Sequence, residues 1–343
     1  MEELLRDTIE EVQSGHEPER GMDIMGSLVR AKYGAGKGAG GAGGPNTLTD
    51  SEIIGNAFVM MLAGHETTAN TLHFTLLELA NNPAAQRAVQ ADVDRIFGAT
   101  DPSTWAYEHS INALQASYVG AAMNETLRLL PSVMDIPKWV PPSQSQVLVV
   151  DGTKHVLPGG LIIALNAMGA QRNPRSWPGR PSRLTGDETD LNDFVPERWF
   201  RTAESAAGDD DDDDEGEDYG GFRGPDTSAA LFRPARGSFI PFSEGARSCL
   251  GRRIALVEII AALAVVFQRY SVELAVDDWA GDAEVDRMPR VERAKLYQRA
   301  QARSRATIRG AQSVVTLKLH GQAHVPVRLV RRGEERFVDF MDP

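Results

Sequence analysis

The sequence predicts a mainly α-helical fold with small β-sheets, an α+β protein of 343 residues. Two observations predict the helices: apolar residues recur at helical spacing between residues 53 and 79, and again between about 252 and 270. A third predicts the sheets, because short apolar runs at 147–150, 155–157 and 161–165 are separated by turn residues. Helices precede strands along the chain, an order typical of α+β proteins.

Composition excludes several classes of protein. The chain has 36 Lys and Arg residues against 48 Asp and Glu residues, and nine of these acids lie within residues 209–218. This balance predicts no nucleic-acid partner, and the acidic run predicts a disordered insertion over about 203–228. A single cysteine excludes an intrachain disulfide. The N-terminus does not resemble a signal peptide, and each apolar run is shorter than the roughly 20 residues of a membrane span.

The first 130 residues are predicted to be helical. Two short amphipathic patterns occupy residues 1–32, and a glycine-rich stretch predicts a disordered insertion over about 34–45. Residues 36–41 fit G-x-G-x-x-G, but no strand precedes them, so low complexity explains them better than dinucleotide binding. Thr49 and Glu52 have the spacing of a capping box, which begins a long helix over about 50–80. Further helices are expected over 84–97 and 111–130.

The pattern changes after residue 131. The three short strands come first, and residues 172–250 are rich in Pro, Gly and Arg with little periodicity. A well-patterned helix follows over about 252–270. Residues 314–319 and 325–330 are strand-like, and we expect them to pair with each other.

The only cysteine lies in the string FSEGARSCLG at residues 242–251. Gly245 and Gly251 flank Cys249 at the predicted start of a helix, where the helix dipole and Arg247 favour a thiolate. The residues alone leave three interpretations: a buried structural cysteine, a nucleophile, or a metal ligand. No other Cys or His lies at ligand spacing, which argues against zinc or an iron–sulfur cluster. A haem iron needs only one such ligand.

These residues resemble a known family. The string matches the haem-binding signature of the cytochrome P-450 family, F-x-x-G-x-R-x-C-x-G, at Phe242, Gly245, Arg247, Cys249 and Gly251. Three more motifs occur in the family's order. The string AGHETT at 63–68 resembles the oxygen-activation motif of the long distal helix. The string ETLR at 125–128 resembles the E-x-x-R pair, and PERW at 196–199 resembles the P-E-R-F segment. The resemblance is closest to fungal microsomal members and implies the C-terminal part of the cytochrome P-450 fold.

The distal motif carries the chemistry that the resemblance implies. Small residues at Ala63 and Gly64 would let a flat cofactor approach the helix, and Glu66 and Thr67 would deliver protons to oxygen. On residue types alone, Glu66 could instead point to solvent and Thr67 could be ordinary helix filler. His65 and Glu66 also begin like the zinc-binding motif H-E-x-x-H, but position 69 is Ala, so the second histidine of that motif is missing.

The E-x-x-R pair has a structural role by the same resemblance. Glu125 and Arg128 are one helical turn apart, a spacing that often gives only a weak surface ion pair. In the family the pair is buried and linked to the arginine of P-E-R-F, here Arg198. We therefore expect these three residues to hold the cysteine loop rather than to act in catalysis.

The implied function is that of a haem-thiolate monooxygenase. Haem b would be bound through the Cys249 thiolate, with Arg247 and Lys138 near its propionates. One atom of O₂ would be inserted into a small apolar organic substrate, with electrons from an NADPH-cytochrome reductase or a b5-type cytochrome. Family members lie on the cytosolic face of the endoplasmic reticulum. This chain, in which we find no transmembrane anchor, would be cytoplasmic or peripheral.

The position of the distal motif departs from the family. It begins at residue 63, whereas family members carry it beyond the middle of the chain, so we expect a single partial domain over residues 1–343, truncated at its N-terminus. Two alternatives therefore stay open. One is a catalytically inactive haem-binding fragment. The other is a haem-thiolate isomerase or dehydratase, which Glu66 and Thr67 disfavour because such enzymes need no proton relay for oxygen activation.

Overall fold

A computed structural model describes residues 2–14, 24–33, 48–200 and 231–337. The chain forms two compact units, Met1–Glu66 and Thr67–Pro343. The two expected insertions, over about 34–45 and 203–228, lie outside the described residues. The single partial domain expected from the sequence stays a prediction.

The first unit contains two short helices, α1 (Glu2–Gln13) and α2 (Ile24–Tyr33), and the beginning of the long helix α3 (Asp50–Asn81). The amphipathic patterns of residues 1–32 therefore correspond to real helices. Their apolar faces form a small cluster with α3, made of Leu5, Met25, Val29 and Ile53.

The capping box predicted at the start of α3 is confirmed. The Glu52 backbone N–H donates to Thr49 Oγ1 at 3.2 Å, and the Thr49 N–H donates to Glu52 Oε2 at 2.7 Å. These reciprocal bonds satisfy amides that a helix start otherwise leaves unpaired. The Thr49 N–H and the Thr49 hydroxyl, which also donates to Glu52 Oε2 at 2.8 Å, lower the pKa of the Glu52 carboxyl because both favour its charged form.

The second unit continues α3 and adds most of the remaining helices. The longer ones are α4 (Pro83–Phe97), α5 (Tyr107–Gln115), α6 (Tyr118–Leu129), α8 (Arg252–Arg269) and α10 (Arg290–Arg309). The single-turn helices are α7 (Ala167–Ala170) and α9 (Asp282–Val285), with 3₁₀ turns at Pro102–Thr104 and Pro196–Trp199. Buried side chains of these helices form one large core that includes Phe74, Leu79, Val89, Val119, Leu127, Ile260, Leu263 and Phe267.

The single helix expected over 111–130 is wrong. The structure has α5 and α6 instead, and Ser117 caps α6 by accepting the Val119 N–H at 3.1 Å. The chain turns so tightly here that a Cβ on Gly120 would lie 2.1 Å from the Gln115 carbonyl oxygen. A serine cap and a close backbone approach thus divide a continuous apolar pattern into two helices.

The strands form two-stranded antiparallel sheets. The three predicted strands are present as β2 (Gln146–Val150), β3 (Thr153–Leu157) and β4 (Ile162–Asn166), and β1 (Asp135–Trp139) is an additional partner for β4. Strands β2 and β3 form a hairpin. Asp151 and Gly152 between them have φ values of +49° and +77°, as a two-residue hairpin turn requires.

The expected pairing of 314–319 with 325–330 is also wrong. Strand β8 (Val327–Arg331) pairs with β5 (Tyr270–Leu274), which directly follows α8. Only Leu317–Lys318 of the first segment is a strand, β7, paired with β6 (Gln312–Ser313). The physical reason is that the Leu317 N–H is already engaged, because it donates to the Ser132 carbonyl at 2.8 Å.

Candidate functional site

Cys249 lies on a closed loop just before α8. The Cys249 N–H donates to the Phe242 carbonyl at 2.9 Å, and the Ser248 N–H donates to the Gly245 carbonyl at the same distance. Gly245 has a φ of +79°, a left-handed conformation that glycine adopts without a steric penalty. The loop therefore presents the exposed Cys249 side chain from a hydrogen-bonded turn.

Gly251 borders the sulfur atom. It is the residue before α8, and a Cβ built on it would lie 4.0 Å from Cys249 Sγ. The sequence prediction that the cysteine leads into a helix is therefore correct, since α8 begins at Arg252. Backbone rather than a side chain faces the sulfur on this side.

Cationic side chains surround the loop. Arg247 is exposed and, within the described residues, forms no ion pair. Lys138, on β1, donates from Nζ to Ser243 Oγ at 2.9 Å. The Arg252 guanidinium lies 5.9 Å from the centre of the Phe242 ring. Arg247 and Arg252 thus place positive charge before and after Cys249 in the sequence. Lys138 adds a third cation, which its hydrogen bond to Ser243 holds against the loop.

A buried charge cluster lies in the same unit. Glu125 is fully buried and accepts two 2.7 Å hydrogen bonds from Arg128, in a bidentate pair. Arg198 Nε lies 3.5 Å from Glu125 Oε1, and Trp199 Nε1 donates to Oε2 at 2.9 Å. Burial alone would raise the pKa of Glu125, but the charges of Arg128 and Arg198 outweigh it and lower the pKa. The structure thus brings together the three residues that the motifs singled out.

Gln171 joins this cluster to the cysteine loop, and the sequence analysis missed it. Its carbonyl oxygen accepts from Arg128 Nη1 at 3.1 Å, and its side-chain Nε2 donates to the carbonyls of Leu127 and Arg128 at 3.0 Å. Its Oε1 accepts the Ile240 N–H at 2.9 Å, just before the loop begins. The partners are 43 and 69 residues away, so no local pattern marks this residue.

The distal motif is divided between the two units. Ala63 and Gly64 are exposed and belong to the first unit with the partly buried Glu66, whereas Thr67 belongs to the unit that holds Cys249. A Cβ on Gly64 would meet no atom within 4 Å. All four residues lie on α3, as predicted.

The residues present fit a haem iron. Across the described parts of the chain, no group of three or more His, Cys, Asp or Glu could hold a metal ion. A lone, exposed cysteine would suit a haem iron, because the porphyrin supplies four ligands and the protein needs to supply only one. The backbone border at Gly251 leaves the sulfur approachable on one side.

Comparison with known proteins decides the family. The family model described as cytochrome P-450 matches residues 1–284, which is most of the chain. The chain belongs to the cytochrome P-450 family. This confirms the resemblance found in the sequence and makes the chain a member of an oxidoreductase family whose cofactor is haem iron with a cysteine thiolate ligand.

Individual relatives agree with this assignment. A cytochrome P-450 monooxygenase of Arthrobotrys oligospora is 27% identical over 340 residues, which cover 97% of this chain and 52% of the relative. Another, of Penicillium rubens, is 28% identical over 260 residues, covering 74% of this chain and 40% of the relative. The chain thus spans about half the length of the curated relatives it matches.

A solved structure supports the fold. A cytochrome P-450 haem domain superposes with a TM-score of 0.58 at 21% sequence identity, covering 97% of this chain and 54% of that one. The predicted fold class, mainly helical with small sheets, is therefore confirmed. Among the described residues, we find no helix with the length and apolarity to span a membrane.

Proposed function

We propose that this chain is a haem-thiolate monooxygenase, which inserts one oxygen atom from O₂ into a small apolar organic substrate. The observation that carries the proposal is the exposed Cys249 on a loop that Gln171 ties to the Glu125 cluster. A buried ion pair is a costly way to hold an ordinary surface loop. A buried ion pair suits a loop whose cysteine would have to bind an iron in one fixed geometry.

Several residues of the chain would hold haem b. The Cys249 thiolate would bind the iron, and Arg247 and Lys138 would neutralise the propionates. Phe242, Gly245 and Gly251 would shape the loop beneath the ring, and Ala63 and Gly64 would allow close approach of the α3 backbone. When bound, the haem supplies the activation of dioxygen, and its thiolate ligand favours cleavage of the O–O bond.

Proton delivery is the part assigned to the chain's own side chains. Glu66 would take protons from solvent at the edge of α3, since its side chain is partly exposed. The Thr67 hydroxyl, next along the helix, would hold a water or pass a proton at the oxygen-binding side. Glu125, Arg128 and Arg198 would act only by fixing the cysteine loop, because all three are buried by protein groups.

Electrons would come from an NADPH-cytochrome reductase, with a b5-type cytochrome as a further donor. Positive charge at the exposed Arg252 beside the cysteine loop would favour an acidic docking face on such a donor. By the same proposal the chain would be cytoplasmic or peripheral to the endoplasmic reticulum, on whose cytosolic face family members lie.

A second candidate function is a haem-binding fragment without catalytic activity. The observation in its favour is an exposed apolar stretch of α3 in the first unit. Its residues Phe58, Val59, Met61 and Leu62 are each about half exposed or more. Apolar surface of this kind is usually covered in a working enzyme.

A reduced carbon-monoxide difference spectrum tests the proposal. The chain would be expressed with a haem precursor beside Cys249→Ala, and Ser145→Ala, an exposed loop substitution, would serve as control. We expect a strongly red-shifted Soret band in the native chain and the control, and its loss in Cys249→Ala. NADPH consumption with added reductase then separates the enzyme from the inactive fragment. Folded protein that takes up haem without this band would refute a thiolate-haem site.

A further inference from the structure

The Thr67 carbonyl on α3 receives hydroxyl donors from two directions. Thr71 Oγ1 donates to it from one helical turn later, at 2.9 Å, and Ser132 Oγ donates to it from beyond the end of α6, also at 2.9 Å. The two hydroxyl oxygens lie 3.0 Å apart. The three groups therefore form a closed triangle of polar atoms at the last residue of the proton-delivery pair.

This triangle is shielded from water. Thr71 is 3% exposed and Ser132 is 7% exposed. A carbonyl oxygen has two lone pairs, so hydroxyl donors compete with the helix's own amide for it, which locally bends a helix. Losing one hydroxyl would remove one of the two side-chain donors to the Thr67 carbonyl, and water could not readily replace it.

The segment that carries Ser132 is itself fixed. The Ser132 carbonyl accepts the Leu317 N–H at 2.8 Å, and the neighbouring Thr316 Oγ1 accepts from Asn70 Nδ2 at 3.2 Å. Asn70 is adjacent to Thr71 on α3. The α3 turn from Thr67 to Thr71 is thus held by two other parts of the unit at once.

We propose that Ser132 and Thr71 are positioning residues that fix the Thr67 peptide, and so set the direction of the Thr67 hydroxyl on the oxygen side of the haem. The proposal rests on the function proposed above for Thr67. Neither residue touches the cofactor in this account. Both act through the Thr67 backbone.

Local hydrogen exchange tests the positioning without any cofactor. Ser132→Ala and Thr71→Val each remove one hydroxyl of the triangle, and Thr75→Val is the matched control. Thr75 is fully buried on the same helix and donates only to the Thr71 carbonyl, at 2.8 Å. Because one hydrogen bond contributes about 1 kcal/mol, amides of residues 67–72 should exchange about fivefold faster in the first two variants. Ser132→Thr should restore the native rate.

Exchange rates equal to those of the native chain, or equally raised in Thr75→Val, would overturn the positioning. A rise spread over all helices would also overturn it, since that signals general destabilisation.

The C–O stretching band of the reduced carbon-monoxide complex tests the link to the haem. We expect it to shift in Ser132→Ala and Thr71→Val, but not in Thr75→Val. Faster exchange with an unchanged band would show that the peptide is held but does not orient the hydroxyl, and would overturn that step. If the native chain forms no thiolate-haem complex, the proposed function fails and the orienting step falls with it. The hydrogen-exchange measurement still shows whether Ser132 and Thr71 fix the Thr67 peptide.

Discussion

Replacing Arg128 with methionine removes the main cation facing the fully buried Glu125 carboxylate. Methionine fills a similar volume without charge, so the change isolates the ion pair from the packing. Glu125 would keep the Trp199 Nε1 donor and the Val195 N–H, at 2.9 and 3.1 Å. The Gln171 carbonyl would lose the donor that it has at 3.1 Å.

The expected cost is large because the remaining charge cannot reach water. Removing one partner of a buried pair costs about 3–5 kcal/mol. The remaining Arg198 cation and the two neutral donors to Glu125 reduce this cost, and the orphaned carbonyls of Gln171 and Leu191 increase it, so we expect a loss of about 4 kcal/mol in the free energy of unfolding. Domains are stable by only about 5–15 kcal/mol, so the variant is expected to be barely folded.

The pH dependence of the free energy of unfolding shows whether the charged Glu125 carboxylate stabilises or destabilises the fold. In the native chain the pKa of Glu125 is lowered, so its stabilising contribution is present above the unfolded value and is lost as the pH falls through the folded value. Without Arg128, we expect burial to outweigh the remaining charge of Arg198 and to raise the pKa of Glu125, so protonation then favours folding. The difference between native chain and variant should therefore shrink as the pH falls, first through the raised pKa of the variant above 4.5 and then through the lowered pKa of the native chain below 4.5.

Urea unfolding followed by far-ultraviolet circular dichroism measures these values. Arg95→Met is the matched control, because Asp92 and Arg95 have the same i, i+3 spacing but Arg95 is 62% exposed. It should cost at most about 1 kcal/mol. An Arg128→Met loss as small as that of Arg95→Met would refute the reasoning, as would a loss that does not depend on pH.

Two further substitutions test buried groups by the same unfolding assay. Burial raises the pKa of the half-buried Glu78 to about 7. The stabilising contribution of its neutral form is therefore fully present below about pH 4.5 and is lost as the pH rises through 7. Glu78→Gln should therefore raise the free energy of unfolding at pH 8 by up to about 3 kcal/mol and change it little at pH 4; equal effects at both would contradict this. Gly120→Ala should lower it by about 3 kcal/mol, because the new Cβ would lie 2.1 Å from the Gln115 carbonyl oxygen. Gly55→Ala is its control, with no atom within 4 Å and an expected slight gain, and similar results for the two glycines would count against the clash.

Local signals in the sequence predicted much of the fold correctly. The Thr49–Glu52 capping box and the turn between the strands at 147–150 and 155–157 each act within a few residues, so the sequence shows them directly. The final strands were paired wrongly because apolar alternation gives a strand's faces but not its partner.

Features that depend on distant residues were not predictable in this way. Helix α10 was missed because its buried stripe is narrow and includes small or polar residues, among them Ala300 and Ser304. In the site, the motifs located the cysteine loop and the charge cluster. They did not show Gln171, whose contacts arise only once α6 and the loop are packed together.

The bond between Asn70 and Thr316 has a consequence for synthesis of the chain. It joins residues 246 positions apart, near the two ends of the second unit. During translation, α3 can form early, but this anchor becomes available only after residue 316 has left the ribosome. Contacts of such long range form late and slowly. A nascent chain would therefore carry its cysteine loop before α3 is anchored through Asn70.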